Sequence, residues 1–173
     1  MQKRFLPKDF SIPTVKWKQK YVIRPLIMED VTKDFTCYMG CVDYIQEGAF
    51  IQPVNRPFTD FPNHNITLRK ALILLAVAEY EMALGNRVEY GIFSDDEQEE
   101  FGCVYIMPSM KEGHDAQVTF WVKEESYALL DNELYNFLKN WVPYAYPFLK
   151  TILFPGREIT WEAWSDLPRK ETK

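Results

Sequence analysis

The run "AQVTFWV" alternates along the chain. Val118, Phe120 and Val122 fall on one side and Gln117, Thr119 and Trp121 on the other, the period-two pattern of a strand with two different faces. Two further strand-like runs precede it: "RVEYGIF", followed by the charged turn "SDDEQEE", and "FGCVYIM", closed by Pro108 and the loop "PSMKEGHD". Connections this short favour antiparallel neighbours. Upstream, "YVIRPL" is a β-rich run ending at a proline and reads as a first strand. "MEDVTKDFTCYMGCV" has an acidic start and Val31, Phe35, Tyr38 and Met39 at helical spacing. A second helix is predicted from a cap at Asn65 or Thr67 to about Leu84, with Leu68, Leu72, Leu75 and Ala76 on one side and Gly85 as its terminating glycine.

A third helix, "DNELYNFLKNWV", takes Asp131 or Asn132 as N-cap and turns Leu134, Phe137, Leu138 and Trp141 inward. "FLKTILF" is the next strand, Pro155–Gly156 makes a turn, and "EITWEAW" reads as a short terminal strand. The order β, α, α, β, β, β, α, β, with a possible last β, predicts an α/β architecture built on one mixed sheet. Strands 116–122 and 149–154 should be parallel neighbours joined by a right-handed crossover. Residues 1–20, polar, basic and interrupted by Pro7 and Pro13, read as an arm laid on the domain or partly disordered, and 21–173 as a single domain. Residues 46–64 carry three prolines and form the longest irregular stretch, the kind of segment that serves as a lid or binding loop.

Composition narrows the function classes. The 173 residues are 47% hydrophobic and 16% aromatic, enough for a sizeable core. A net charge of −5 argues against general nucleic-acid binding, which rests on a basic surface, but excludes no small anionic ligand. Three cysteines do not make a disulfide framework, and Cys37 and Cys41, one helical turn apart, lack the further ligands a zinc ion needs, so no metal is expected. The N-terminus has no signal-peptide core, and the longest apolar run, "ALILLAVA", is far short of the ~20 residues that span a bilayer. A reduced, cytoplasmic protein without membrane attachment is the expectation. No nucleophile elbow, Walker loop or dinucleotide fingerprint is present.

The connection "KEESYALL" after Val122 places a helix N-terminus beside a strand end, an arrangement that favours anions. Taken with "YVIRPLIMEDVTKDF", "VEYGIFSDDEQEEFGCVYIMPS", "DAQVTFWVKEE", "LLDNELYNFLKNWV" and "FPGREITW", it resembles the GNAT superfamily of N-acyltransferases over roughly residues 20–164. The resemblance implies a GNAT-like fold, C-terminally abbreviated, in which the fourth and fifth family strands splay into a V. It implies acetyl-CoA as co-substrate, with its pantetheine on the backbone of Thr119, Phe120, Trp121 and Val122. The pyrophosphate would lie on the following turn, near Lys123, Ser126 and Tyr127. The turn departs from the family's phosphate loop: it has no glycine, and Glu124 and Glu125 would repel a phosphate they faced.

For transfer of an acetyl group to a small amine by direct attack, the resemblance directs attention to His114 and Asp115 as bases and to Tyr144 and Tyr146 as acids for the leaving thiolate. The same residues also read as a solvated turn, "KEGHDA", and as packing aromatics, "VPYAYPF". Arg157 reads either as an anion-binding group or as half of a salt bridge with Glu158. Two other functions stay open: a GNAT-fold ligand-binding protein without catalysis, and a homodimer formed through bare strand edges.

Overall fold

The computed structural model describes residues 4–48 and 61–171. The expected 46–64 binding loop falls mainly on residues outside these. Six strands form one sheet in the order β1-β2-β3-β4-β5-β6. They are β1 (Val15–Trp17), β2 (Tyr21–Pro25), β3 (Val88–Ser94), β4 (Glu100–Pro108), β5 (Ala116–Val122) and β6 (Ile152–Leu153). β1 through β5 run as an antiparallel meander, and β6 joins β5 in parallel.

Helices α1 (Val31–Met39), α2 (Val42–Glu47) and α3 (Leu68–Ala83) cover one face of the sheet, and α4 (Tyr127–Ala145) covers the other. The period-two pattern decides which side chain meets which layer. Val118, Phe120 and Val122 of β5 pack with Tyr90, Ile92, Val104 and Ile106 against Leu130, Leu134, Leu138 and Val142 of α4. Trp121 faces the other way, with Phe93 and Cys103, toward Cys37, Tyr38, Ala71 and Leu75. Thr67 caps α3 by accepting from the Lys70 amide at 3.2 Å, and Gly85 follows the helix at φ +72°. Gly102 of β4 pairs with Val122 of β5. A Cβ there would lie 2.1 Å from the Trp121 carbonyl oxygen, so only glycine fits.

Several expectations are corrected. Part of the N-terminal arm, Val15–Trp17, is a strand, turned into β2 by Lys18 and Gln19, both at positive φ. The described part of the arm ahead of it is laid on the domain: the amides of Phe5 and Leu6 donate to the Gly85 carbonyl at 2.9 and 2.8 Å. "EITWEAW" is not a strand, because Thr160 accepts from the Ala163 amide and starts a short helix, α5 (Trp161–Asp166). The C-terminal tail then returns beside the 109–112 loop, with Lys111 bridging Arg169. Leu68 and Leu72, expected with Leu75 on the core side of α3, are exposed, and the core side is Ala71, Leu75, Ala78 and Met82.

The third helix begins at Tyr127, four residues ahead of its expected cap. Asp131 is therefore inside α4, buried, where both carboxylate oxygens accept from Arg157 at 2.7 Å. The Arg157 guanidinium also lies 3.6 Å over the Phe120 ring. Removing one partner leaves the other charge buried without compensation. Arg157→Leu is expected to lower stability by about 3–5 kcal/mol in urea unfolding, and Arg157→Leu with Asp131→Leu to recover much of it. Equal stability of the wild type and the single variant would contradict this.

Candidate functional site

The parallel pairing of β5 with β6 is short. Ala116 lies opposite Ile152 and Gln117 opposite Leu153, and among the described residues no strand continues the pairing beyond Gln117. Asp115 fixes the junction. Its Oδ2 accepts from the amides of Lys150 and Thr151 at 2.7 and 3.0 Å, and these backbone bonds, the one from Lys150 foremost, hold its carboxyl below the usual range. After Leu153 the chain leaves the sheet through Pro155 and Gly156. The outer edge of β5 from Val118 to Val122 is thus left open toward the gap, the V that the resemblance implied. An open strand edge is a row of backbone donors and acceptors ready to pair with an extended ligand. On the α4 side of β5 the Arg157–Asp131 pair ties the segment after β6 to α4 at the level of Phe120.

Beyond the open edge, Glu124–Ser126 form a single 3-10 turn leading into α4. The Lys123 ammonium is paired with Glu99 at 2.6 Å rather than presented to the turn. Ser126 makes no side-chain cap bond, and exposed Tyr127 lies edge-on to Tyr44 at 5.9 Å. This turn has the amide donors of a helix N-terminus, but Glu124 and Glu125 stand exposed beside them.

On the opposite face of the sheet a cavity of about 360 Å³ lies between α1, α3 and strands β3–β5, with Trp161 of α5 at its rim. Its floor is Glu89, Tyr105, Met107, Gln117 and Thr119, and Asp34 and Tyr38 of α1 close its side. Burial favours the protonated form of both carboxylates in the chamber. Burial, then the charge of Glu89, lifts Asp34 from 3.8 to about 7. Burial also raises Glu89, opposed by Arg87, whose Nη2 lies 2.9 Å from its Oε1. Behind Asp34, the Cys103 thiol lies 3.7 Å from Asp34 Oδ1 and 3.3 Å from Glu100 Oε1, and burial holds Glu100 well above its usual range. Thr119 belongs to both features: its backbone is on the open edge of β5 and its side chain is on the cavity wall.

The structure does not bring the four catalytic candidates together. Asp115 clamps the β5–β6 junction. His114 packs 6.3 Å from Trp164, and its carbonyl accepts from Lys170. Tyr144 is 84% exposed on the outside of α4. Tyr146 is fully buried with its hydroxyl bonded to that of Tyr90, and burial drives its pKa upward, away from proton donation at neutral pH. Thr119, Phe120, Trp121 and Val122 do lie together on the open edge, with Lys123, Ser126 and Tyr127 at its end. Sequence reasoning missed Asp34 and Glu89. Both carried a signal: Asp34 shares a helix face with Tyr38, and Glu89 alternates onto the same side as Phe93.

No family model matches the chain, and no curated protein matches its sequence. Solved structures do match its shape. A ribosomal-protein alanine acetyltransferase from Vibrio fischeri superimposes with a TM-score of 0.58 at 12% identity, over 77% of this chain and 68% of that one. A ribosomal-protein α-N-acetyltransferase in complex with coenzyme A gives 0.51 at 12% identity, over 76% and 69%. A Bordetella pertussis protein assigned to the GnaT family gives 0.50 at 12% identity, over 78% and 74%. The chain has the GNAT acetyltransferase fold.

Asp34 links the cavity to stability. Between its ordinary value of 3.8 and about 7 the folded chain keeps a proton that the unfolded chain has released. Its contribution to stability is complete below that window and is lost as pH rises through 7. Asp34→Asn cannot lose it. The melting temperature of the variant relative to wild type should therefore rise between pH 5 and pH 8, and a constant difference would contradict the assignment.

Proposed function

We propose that this protein is an N-acetyltransferase that takes acetyl-CoA along the open edge of β5 and a small amine in the cavity between α1, α3 and the sheet. The observation that carries this reading is the place of Thr119, where the open edge and the cavity meet. The fold adds support, since structures with the same fold are acetyltransferases and one of them is a coenzyme A complex.

Acetyl-CoA, when bound, supplies an acyl thioester whose carbonyl carbon accepts the amine. The backbone of Thr119–Val122 would pair with the pantetheine arm and bring the thioester to the cavity end of β5. The α4 N-terminus would face the phosphates, with Ser126 and Tyr127 as side-chain donors and Lys123 as the nearby cation. Glu89 and Asp34 attract an ammonium ion into the apolar chamber. An amine must lose its proton before it can attack, and a carboxylate with a pKa near 7 both accepts that proton and is free to accept it at neutral pH. Asp34 is therefore the base, and Glu89, held by Arg87, keeps the amine in place. Among the described residues no side chain is placed as a covalent nucleophile, so the amine would attack the thioester carbon directly, the C–S bond would break and the CoA thiolate would leave.

The test is a thiol-release assay with acetyl-CoA and a panel of small primary amines across pH 5.5–9. The wild type should turn over with an activity limb near pH 7. Asp34→Asn should lose that limb and fall in kcat on the order of 100-fold. Glu89→Gln should mainly raise KM for the amine. Unaltered kcat and pH profile in Asp34→Asn would remove Asp34 as base. The carboxylates Glu124 and Glu125 and the Lys123–Glu99 pair favour a second reading, a GNAT-fold binding protein without catalysis. Acetyl-CoA binding without turnover of any amine would favour it.

A further inference from the structure

The floor of the cavity is two rungs of the sheet. Glu89 lies opposite Tyr105, and Tyr105 opposite Thr119, so these three cross the strands as one rung. Met107 lies opposite Gln117 on the next rung of the same face. Val88 pairs with Ile106, so Arg87 stands at the β3 end of that second rung. The rungs are two residues apart, roughly 7 Å at about 3.4 Å per residue. The first rung has the charge that attracts an amine: Glu89 belongs to it, and Asp34 is near enough to feel Glu89. Of the second rung's residues only Arg87 is charged, and its Nη2 already lies 2.9 Å from Glu89 Oε1. Apart from Asp34, the described walls of the chamber are uncharged, with Leu74, Leu75 and Val77 of α3 on one side and Trp161 at the rim.

We propose that the acceptor taken by this cavity is a primary monoamine with an apolar, ring-sized body, and that diamines and amino acids are turned away. The inference rests on the acetyltransferase reading and names its substrate class. In that reading the thioester reaches Thr119, so the nitrogen to be acylated sits on the first rung, beside Asp34 and Glu89. Its amide bond forms as the C–S bond of the thioester breaks, the CoA thiolate leaves, and the proton of the amine passes to Asp34. The body of the amine then extends over the second rung. A second ammonium carried there, as at the far end of 1,4-diaminobutane, meets Arg87 and no carboxylate, and an unpaired charge in an apolar site is costly. A carboxylate next to the nitrogen, as in an amino acid, stands beside Glu89 and Asp34. Burial already favours the protonated form of both acids, and a further anion adds to that cost. An apolar body meets Leu74, Leu75, Met107 and Trp161 instead. The 360 Å³ of the cavity equal about a dozen water volumes at ~30 Å³ each, room for one ring and a short arm.

Acetylation of 2-phenylethylamine, 1,4-diaminobutane and free phenylalanine by the full chain tests it, beside calorimetric titration of the protein with 2-phenylethylamine in the absence of acetyl-CoA. 2-Phenylethylamine should exceed both others in kcat/KM on the order of 100-fold. It should also bind without acetyl-CoA, and that binding should be lost in Asp34→Asn. Gln117→Glu keeps the side-chain shape and puts a carboxylate on the second rung. It should raise kcat/KM for 1,4-diaminobutane about 10-fold and lower it for 2-phenylethylamine. Equal or better use of the diamine or of phenylalanine would overturn the proposal and leave the acetyltransferase reading standing. Binding of 2-phenylethylamine with no acetylation of any amine would support the ligand class and overturn that reading. Failure of 2-phenylethylamine to bind at millimolar concentration, or an unchanged preference in Gln117→Glu, would overturn the proposal.

Discussion

The early end of the β5–β6 pairing is the constraint from which the site follows. Two residue pairs join the strands, and then Pro155 and Gly156 turn the chain away. Everything beyond that point on the β5 edge is free to meet something else. The gap still has to be held at a fixed width, and Arg157 does this by reaching from the departing segment to Asp131 of α4 across the face of Phe120. Partly buried ion pairs often add little net stability because desolvation offsets attraction. This one has both carboxylate oxygens filled and an aromatic surface under the guanidinium, which suits it to fixing geometry.

The two faces of the sheet divide the remaining tasks. The α4 face is closed by large apolar side chains and holds the N-terminal arm against Tyr90, whose hydroxyl donates to the Pro13 carbonyl at 3.0 Å. The α1–α3 face is less completely filled and keeps a chamber with carboxylates at its wall and floor. Burying acidic groups without matching cations raises their proton affinity and lowers stability at neutral pH. The cavity that holds Asp34 adjoins the open strand edge.

The sequence disclosed the strands well, because alternation is local and strong in "RVEYGIF", "FGCVYIM" and "AQVTFWV". It also disclosed the parallel β5–β6 neighbours, and Thr67 as one of two candidate caps for α3. The start of α4 was hidden because Asp131 has the chemistry of a cap, and only the distant Arg157 explains why it is buried inside a helix instead. "EITWEAW" read as a strand, but Thr160 captures the Ala163 amide, and this local cap starts a helix instead. The assignment of a cofactor to the β5 edge comes from the resemblance, whereas the cavity had no such pointer in the sequence. Asp34, Glu89 and Thr119 come from three elements, and no local spacing records that the fold brings them to one chamber.

The central claim is that the backbone edge from Val118 to Val122 receives the extended arm of an acyl-CoA. Amide hydrogen exchange across β5, measured with and without acetyl-CoA, tests it most directly. The account predicts slower exchange confined to Val118–Val122 and the first turn of α4, with Ala116 and Gln117 unchanged because β6 already pairs them. Exchange in β5 and α4 that stays the same at millimolar acetyl-CoA would contradict it.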